Sequence, residues 1–345
     1  MTTEIIDAKE RELTKKELSL IKETIISGGL VVFPTETVYG LGADGTSEKA
    51  ALAVYSAKGR PSNNPLIIHV SDPSDAEKYC FTNEIYKKLA DAFMPGPLTV
   101  ILKKKDVIPF SVTGGLDTVA VRCPSHPIAR AIISECGLPI AAPSANLSGK
   151  PSPTCARYCI DDLYGRVDVI VDGGDCEIGL ESTIVKPNDD GSITLLRPGA
   201  ITVDEISEAT GASVQIAKGV LEELSADTQP LSPGMMYRHY APSTDFILLE
   251  GRDEDVYSYV NALGGRTVFL SLDEDEGKLC EKIKLINIGS RKDPLSQAAR
   301  IFSALREADE EGADMIISRL PGTEGVELAL FNRLIRASAH RIIKL

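Results

Sequence analysis

The stretch Lys58-Gly-Arg-Pro-Ser-Asn-Asn-Pro65 leads directly into Leu66-Ile-Ile-His-Val70, so a basic loop punctuated by Gly and Pro precedes a short apolar run. The residues before it, from about Glu48 to Lys58, repeat their apolar side chains at helical spacing. Leu66–Val70 has the length and β-branched content of a buried strand. A helix, a polar loop and a buried strand in this order predict an α/β protein, and cations held at a strand end suit an anion.

A second polar motif follows another predicted strand. Pro139-Ile-Ala-Ala142 leads into Pro143-Ser-Ala-Asn-Leu-Ser-Gly-Lys-Pro-Ser152, where hydroxyl and amide groups are held between Pro and Gly. No G-x-x-x-x-G-K-[ST] sequence occurs, so phosphate binding would rely on side chains more than on a glycine cradle. The alternative for Lys58 is a solvated helix end, with its charge near the negative end of the helix dipole.

The predicted elements of the first 210 residues mix strands and helices without strict alternation. We therefore expect a twisted, partly antiparallel α/β sheet instead of a strictly doubly wound one. The predicted strands are Leu30–Phe33, Leu66–Val70, Leu98–Leu102, Thr118–Arg122, Pro139–Ala142, Val167–Val171, Ser182–Val185 and Ile193–Leu196. One helix is predicted to begin after Thr14. Four others are predicted at about 48–58, 83–93, 126–136 and 154–163.

The length of 345 residues and a change in composition near residue 210 predict two domains. We place a catalytic domain at 1–210, a linker at 211–244 and a smaller α/β, Rossmann-like domain at 245–345. The linker contains Ser232–Pro242, whose Tyr237 and His239 are unusual in a passive connector. In the smaller domain we predict strands at 246–250, 266–271, 284–288 and 315–318, and helices at 297–308 and 328–341.

The bulk properties restrict the class of protein. The formal net charge of −13 argues against a protein that coats nucleic acid, because phosphate contacts need Lys and Arg. Seven scattered Cys without a C-x-x-C pair favour reduced thiols over a disulfide framework or a metal site. The N-terminus shows no signal peptide and no apolar stretch is long enough to span a bilayer, so we expect a cytoplasmic protein without a membrane partner.

Further candidate residues lie at strand ends. Thr35 follows Pro34 in a Gly-containing turn, and Ser182 and Arg197 border two predicted strands. Arg122 closes an apolar strand, where a charge is costly unless it is paired, so it either holds a ligand carboxylate or forms an ion pair with an internal Asp or Glu. His69 is either a general base or a hydrogen-bonded core residue. No Ser-His-Asp order, H-E-x-x-H or nucleophile elbow is present.

Taken together, the motifs resemble the Sua5/YrdC family of threonylcarbamoyl-adenylate synthases, in its longer Sua5 form. The resemblance covers essentially the whole chain, including the linker motif Pro233–Pro242 and Phe331-Asn-Arg-Leu334 near the end. The other motifs that carry it are Pro34–Gly42, Lys58–Arg60, Asn64–His69, Pro95–Thr99, Thr118–Arg122, Ala142–Asn146, Gly149–Thr154, Glu181–Thr183 and Arg197–Gly199.

The resemblance implies that L-threonine, bicarbonate and ATP are converted to threonylcarbamoyl-AMP and pyrophosphate, for N6-threonylcarbamoylation of adenosine 37 in tRNAs reading ANN codons. The resemblance also implies separate threonylcarbamoyl-transferase proteins that accept the product, and a weak contact with tRNA. Lys58 and Arg60 would be catalytic, and Mg²⁺ would be held mainly through phosphates. The implied ATP-binding residues are Lys58, Arg60, Asn64, Thr118, Ser144, Asn146, Ser152, Arg197, Tyr237 and His239, and the implied L-threonine-binding residues are Thr35, His69, Arg122 and Ser182.

Three points stay open at the level of sequence. Tyr237, Arg238 and His239 are expected either to close over the nucleotide or to form a plain connector. An RNA-binding module of the same fold is an alternative function, against which the acidic charge weighs. A carbamoyl-transfer domain like that of hydrogenase maturation proteins is a third, although the acylphosphatase and zinc-finger segments expected beside it are not seen.

Overall fold

The computed structural model describes residues 2–222, 232 and 240–345, which divide into two compact units. Among these residues, the first unit comprises 2–148, 153–177, 181–222 and 232, and the second comprises 149–152, 178–180 and 240–345. Each unit contains its own β-sheet. In these described segments no helix has both the length and the apolar character needed to cross a bilayer.

The first unit is built on a twelve-stranded mixed sheet, with strand order β1-β9-β2-β3-β8-β4-β7-β6-β10-β11-β12 and β5 paired to β6. The partly antiparallel character predicted from the sequence is confirmed, because β6 is antiparallel to β7 and parallel to β10. The strands are β1 (Glu4–Asp7), β2 (Val31–Phe33), β3 (Gly40–Asp44), β4 (Ile67–His69), β5 (Cys80–Phe81), β6 (Leu98–Lys104), β7 (Thr118–Arg122), β8 (Ile140–Ala141), β9 (Val169–Asp172), β10 (Thr183–Pro187), β11 (Ile193–Arg197) and β12 (Val214–Ile216).

Nine helices of the described segments accompany this sheet, and local sequence signals account for their ends. The side chain of Thr14 accepts from the amide of Glu17, and the side chain of Glu17 accepts from the amide of Thr14, which forms a capping box at the start of α1. The helices are α1 (Lys15–Ile26), α2 (Glu48–Lys58), α3 (Ala76–Tyr79), α4 (Glu84–Phe93), α5 (Phe110–Thr113), α6 (Pro127–Cys136), α7 (Ala156–Leu163), α8 (Val203–Thr210) and α9 (Lys218–Leu221).

The loop between α2 and β4 is fixed by its own residues. Gly59 adopts a left-handed conformation (φ 62°) that ends α2, as glycine does without strain. The hydroxyl of Tyr55 donates to the carbonyl oxygen of Asn64 at 3.1 Å, which ties the end of the loop back to the helix. The helix thus ends at Lys58 and the loop delivers the chain into β4 with little freedom.

A fully buried core supports this arrangement on one side of the sheet. Ile21 and Ile25 of α1 and Ile132 and Ile133 of α6 pack with Val31 and the neighbouring strand residues. Burying each such side chain contributes about 1.5–3 kcal/mol. The polar side chains described below therefore project from a rigid scaffold.

The second unit contains a five-stranded sheet in which every pairing is parallel, with strand order β15-β14-β16-β13-β17. Its strands are β13 (Phe246–Glu250), β14 (Thr267–Ser271), β15 (Lys284–Asn287), β16 (Met315–Arg319) and β17 (Ile342–Lys344), and its helices are α10 (Asp253–Asn261), α11 (Pro294–Glu310) and α12 (Glu327–Ala337). A parallel sheet with crossover helices confirms the predicted Rossmann-like α/β class.

Several elements were not predicted from the sequence. The sequence predicts a turn where β3 lies, because Gly40 and Gly42 suggest irregular backbone. In the structure a Cβ at Gly42 would overlap the ring of Phe33, so glycine at this position permits close packing of the strand. α10 was missed because it begins with three acidic residues and has few apolar positions. β12, inside the segment predicted as linker, pairs with β11 and extends the first sheet beyond residue 210.

Candidate active site

Lys58 joins the two polar motifs that are far apart in the sequence. Its side chain is buried, with 2% of the residue exposed, and its Nζ donates to the carbonyl oxygens of Ser144 and Asn146. The hydroxyl of Ser144 in turn donates to Oδ1 of Asn146 at 2.5 Å. A cation, a hydroxyl and an amide are therefore held together at the ends of α2 and β8.

The side chain of Arg60 is held in place by hydrogen bonds to Asn64 and Pro65 of the same loop. Its Nη2 donates to Oδ1 of Asn64 at 2.6 Å and to the carbonyl oxygen of Pro65 at 3.0 Å. Asn64 is itself buried. The Nε of Arg60 also donates to the carbonyl oxygen of Asn64 at 3.3 Å, so these contacts fix the plane of the guanidinium.

Thr35 organises the turn that follows β2. Its buried hydroxyl donates to the carbonyl oxygen of Val38 at 2.6 Å and accepts from the amides of Thr37 and Val38, each at 3.2 Å. This is a hydroxyl-stabilised turn of the kind that Ser and Thr form. It leaves the following residue, Glu36, buried beneath the turn with 5% of its surface exposed.

Arg122 forms the internal ion pair that was the alternative to a ligand role. Its Nη2 lies 2.7 Å from Oε1 of Glu36, and the two side chains are 5% and 6% exposed. The contact lacks hydrogen-bond geometry, because neither oxygen of Glu36, nor Nε or Nη2 of Arg122, has a hydrogen-bond partner within the described residues. A buried ion pair whose donors and acceptors lack hydrogen bonds does not recover the full cost of removing both groups from water. Both groups could therefore bind a polar ligand.

A row of polar residues crosses the sheet on the face of Arg122. His69 on β4 and Thr99 on β6 lie directly opposite Arg122 in the register of their strands, so the three side chains share one face. Thr99 and Ser182 are joined through their hydroxyl oxygens at 2.7 Å. Arg197 donates from Nε and Nη2 to the carbonyl oxygen and the hydroxyl of Ser182, both at 3.0 Å.

The row brings together residues from both predicted groups. His69, Arg122 and Ser182 were predicted to bind threonine, and the structure places them in one row. Arg197 was predicted to bind ATP, yet it contacts Ser182 of the threonine group. The Ser182–Arg197 contact therefore joins one residue predicted for threonine to one predicted for ATP.

His69 is neutral in this environment. Burial lowers its pKa to about 3, and the nearby charge of Arg122 acts in the same direction. Its Nδ1 lies 3.3 Å from the carbonyl oxygen of Ile140, which can only accept, so Nδ1 carries the proton and Nε2 is left as an acceptor. His69 thus satisfies the prediction of a hydrogen-bonded core residue while keeping one nitrogen for a ligand hydroxyl.

Three kinds of predicted residue lie outside these clusters. Thr118 begins β7, four residues or about 13 Å before Arg122, and is paired with Lys103. Ser152 is buried and belongs to the second unit. Tyr237 and His239, like the predicted closure of the linker, lie outside the described residues.

Sequence reasoning missed two residues of the site, Glu36 and Thr99. Both lie inside motifs that carried the family resemblance, but neither shows a local signal of function. Thr99 looks like an ordinary β-branched strand residue, and Glu36 looks like a turn residue. Only the strand register and the folding of the turn over the sheet place them against Ser182 and Arg122.

The arrangement offers positioning and charge in place of covalent catalysis. Burial raises the pKa of the Cys123 thiol to about 12 and also raises that of Cys176, so neither is a thiolate nucleophile. The described residues contain no group of three or more His, Cys, Asp or Glu side chains suited to a metal ion. Cations and oriented hydroxyls are the means by which a site stabilises a phosphoryl transition state.

Comparison with protein families identifies similarity along most of the chain. Residues 23–199 match the Sua5/YciO/YrdC family, whose description is "telomere recombination". Residues 201–339 match a family described as "threonylcarbamoyl-AMP synthase, C-terminal domain". The two matches together cover every strand of the two sheets except β1 and β17.

Individual relatives are similar over nearly their full length. The threonylcarbamoyl-AMP synthase of Pyrococcus abyssi is 42% identical over 354 residues, covering 99% of each chain. That of Bacillus subtilis is 44% identical over 319 residues, covering 91% of each chain. The crystal structure of P. abyssi Sua5 complexed with L-threonine superposes with a TM-score of 0.91 at 40% identity, covering 99% of this chain and 100% of that chain.

Proposed function

The chain belongs to the Sua5/YciO/YrdC family, and we propose that it makes threonylcarbamoyl-AMP and pyrophosphate from L-threonine, bicarbonate and ATP. The product is the activated donor for N6-threonylcarbamoylation of adenosine 37 in tRNAs that read ANN codons. The enzyme is thus a nucleotidyltransferase that acts on a carbamate. The RNA-binding alternative has no comparable support, because three relatives that match 90% or more of the chain are named threonylcarbamoyl-AMP synthases.

The observation that carries the proposal is the contact of Lys58 with Ser144 and Asn146. Residues 86 and 88 positions away in the sequence meet at one buried ammonium group. A phosphate oxygen arriving there would be attracted by the charge of Lys58, and the Ser144 hydroxyl would donate to it by turning away from Oδ1 of Asn146. Arg60, fixed by Asn64, would supply a second cation.

These residues suit in-line attack on the α-phosphorus. Threonine and bicarbonate form the N-carboxylate with loss of water and a proton, and its carbamate oxygen forms the new bond to phosphorus. The bond from the α-phosphorus to the bridging oxygen breaks, and pyrophosphate leaves. Because charge spreads over the phosphoryl oxygens and the leaving group, Lys58 and Arg60 stabilise the transition state without a covalent intermediate.

We assign the polar row to L-threonine. The Arg122 guanidinium has unused donors for the carboxylate, and Nε2 of His69 accepts from the side-chain hydroxyl. Thr35 and Ser182 complete the assigned group. Discrimination against serine rests on one methyl group, which contributes about 1–3 kcal/mol, so selectivity for threonine should be modest.

Several further points belong to the same proposal. Asn64, Thr118, Ser144, Asn146, Ser152 and Arg197 are assigned to ATP, together with Tyr237 and His239. Mg²⁺ would be carried mainly by the phosphates of ATP, since it keeps few protein ligands in such sites. We also propose a cytoplasmic location, transfer of the product to separate transferase proteins, a weak tRNA contact, and the division of the chain into 1–210, 211–244 and 245–345.

The deciding experiment is incubation of the full chain with ATP, Mg²⁺, labelled bicarbonate and each amino acid in turn. We expect a labelled adenylate and pyrophosphate only when threonine, or more weakly serine, is present. The Lys49→Ala variant is a matched control for Lys58→Ala, because Lys49 is an exposed lysine on the same helix. Absence of a threonine-dependent product would reject the proposal.

A further inference from the structure

The second unit has a cavity of its own, of about 300 Å³, at the carboxyl edge of its parallel sheet. Residues that directly follow β13, such as Gly251 and Asp253, line one part of it. Residues that follow β16, such as Leu320 and Gly322, line another. This volume lies at the lower end of the range for small-molecule sites, which is about 300–1,000 Å³.

The cavity lies where the order of the strands reverses. β13 and β16 are neighbours, and the chain passes from β13 toward β14 on one side but from β16 toward β17 on the other. The two loops therefore diverge and open a crevice between them. In open α/β sheets, ligands bind in this crevice because backbone and side chains at both strand ends face it.

Arg319 lines this cavity, and its side chain has hydrogen-bond donors without acceptors. Its Nη2 donates to Oδ1 of Asp275 at 2.6 Å, and its guanidinium lies 5.0 Å from the ring of Tyr257 and 5.4 Å from that of Phe269. Its buried Nε and Nη1 have no hydrogen-bond partner within the described residues. A buried donor left without an acceptor costs about 1–3 kcal/mol, so a ligand that supplies one is favoured.

The charges at the cavity do not favour an anionic ligand. Asp275 neutralises Arg319, and Asp253 neutralises Arg291 through two hydrogen bonds of 2.9 and 3.0 Å. The first turn of α10, where dinucleotide-binding folds hold the pyrophosphate, carries Asp253, Glu254 and Asp255. Asp253 is paired with Arg291 and Asp255 with Arg252, so this turn offers a phosphate no net positive charge.

The remaining lining combines an apolar floor with an acidic rim. Leu249, Leu270, Leu330 and Leu334 are each 1% exposed. Glu327 begins α12, and its carboxylate lies so close to Gly322 that a Cβ there would overlap it. The floor fits a flat apolar face, and the carboxylate at the rim accepts from hydroxyl or amine donors.

We propose that this cavity binds an uncharged nucleoside. The base lies on the leucine floor and a carbonyl or ring nitrogen accepts from Arg319, while the ribose hydroxyls donate to Glu327. A sugar alone would leave the leucines uncovered, and a nucleotide would bring phosphate against the acidic turn of α10. The site is separate in its residues from the Lys58 and Arg122 clusters and does not rest on the proposed synthase activity.

Equilibrium dialysis of the full chain against labelled adenosine, guanosine, cytidine and uridine tests the proposal, with each 5′-monophosphate as a second arm. We expect saturable binding of at least one nucleoside. Its monophosphate should bind at least about tenfold more weakly. Glu327→Gln should weaken the nucleoside about tenfold, because a charged acceptor becomes a neutral one. The matched control is Glu324→Gln, which removes a nearby exposed carboxylate outside the cavity lining.

Two further results would overturn the proposal besides the absence of binding. Monophosphate binding as tight as nucleoside binding would contradict the charge argument. Loss of nucleoside binding in Lys58→Ala, with Glu327→Gln unaffected, would place the nucleoside in the first unit. Threonine-dependent pyrophosphate release, measured on the same Glu327→Gln sample, should stay within about twofold of the parent, so the two proposals fail separately.

Discussion

Replacing Glu36 with Gln tests the incomplete ion pair at Arg122. The change keeps the size of the side chain but removes the negative charge 2.7 Å from a guanidinium that is almost fully buried. Removing one partner of a buried pair costs about 3–5 kcal/mol, because the other charge is left uncompensated. At about 2–4 °C per kcal/mol for a domain of this size, the midpoint of thermal unfolding should fall by roughly 6–20 °C.

Glu135→Gln is the matched control in the same unit. Its partner Lys22 lies at 3.3 Å, but both side chains are 40% exposed. An exposed pair contributes about 0–1 kcal/mol, so the control should unfold within a few degrees of the parent. Calorimetry on the three proteins, at one pH and salt concentration, gives the comparison directly.

L-threonine provides a second measurement on the same proteins. Its carboxylate can replace the lost charge beside Arg122, so threonine should raise the unfolding midpoint more in Glu36→Gln than in the parent. In the parent, threonine at about 100 times its Kd adds only about 2.7 kcal/mol. A Glu36→Gln midpoint indistinguishable from that of Glu135→Gln would refute the reasoning that the pair is buried and electrostatically coupled.

Three other perturbations follow from the site. Lys58→Ala should lower threonine-dependent pyrophosphate release by about 10²–10³-fold, because the cation beside Ser144 and Asn146 is lost, with Lys49→Ala unchanged in the same assay. His69→Asn should make stability depend less on pH in the acid range. The pKa of His69 is about 3 in the folded state and about 6.5 in the unfolded state, so the parent loses about 1.4 kcal/mol of stability per pH unit as the pH falls between these values. Urea titrations at several pH values should show a smaller loss for the variant. Ser182→Ala removes the hydroxyl that contacts Thr99 and Arg197, so it should raise the KM values for threonine and ATP together. A change in only one KM would show that the Ser182–Arg197 contact does not link the two ligand groups.

Much of the fold follows from local signals in the sequence. α2 ends at Lys58 as predicted, because Gly59 must adopt a positive φ, and β7 covers the predicted Thr118–Arg122. The capping box at Thr14 and the apolar run of β13 identify their elements in the same way. By contrast, β3 and α10 depend on packing against neighbours, which residue patterns do not encode.

The sequence by itself determined which chemical groups are available: two cations in Lys58-Gly-Arg60, the amide and hydroxyl of Ser144-Ala-Asn146, and a strand-end Arg122. Only the tertiary structure decided how they meet. Strand register sets Arg122 opposite both His69 and Thr99, and the Thr35 turn buries Glu36 against it. The physical reason is that spacing along a strand or helix fixes the face of a side chain, whereas its partner across the sheet depends on the pairing of distant segments.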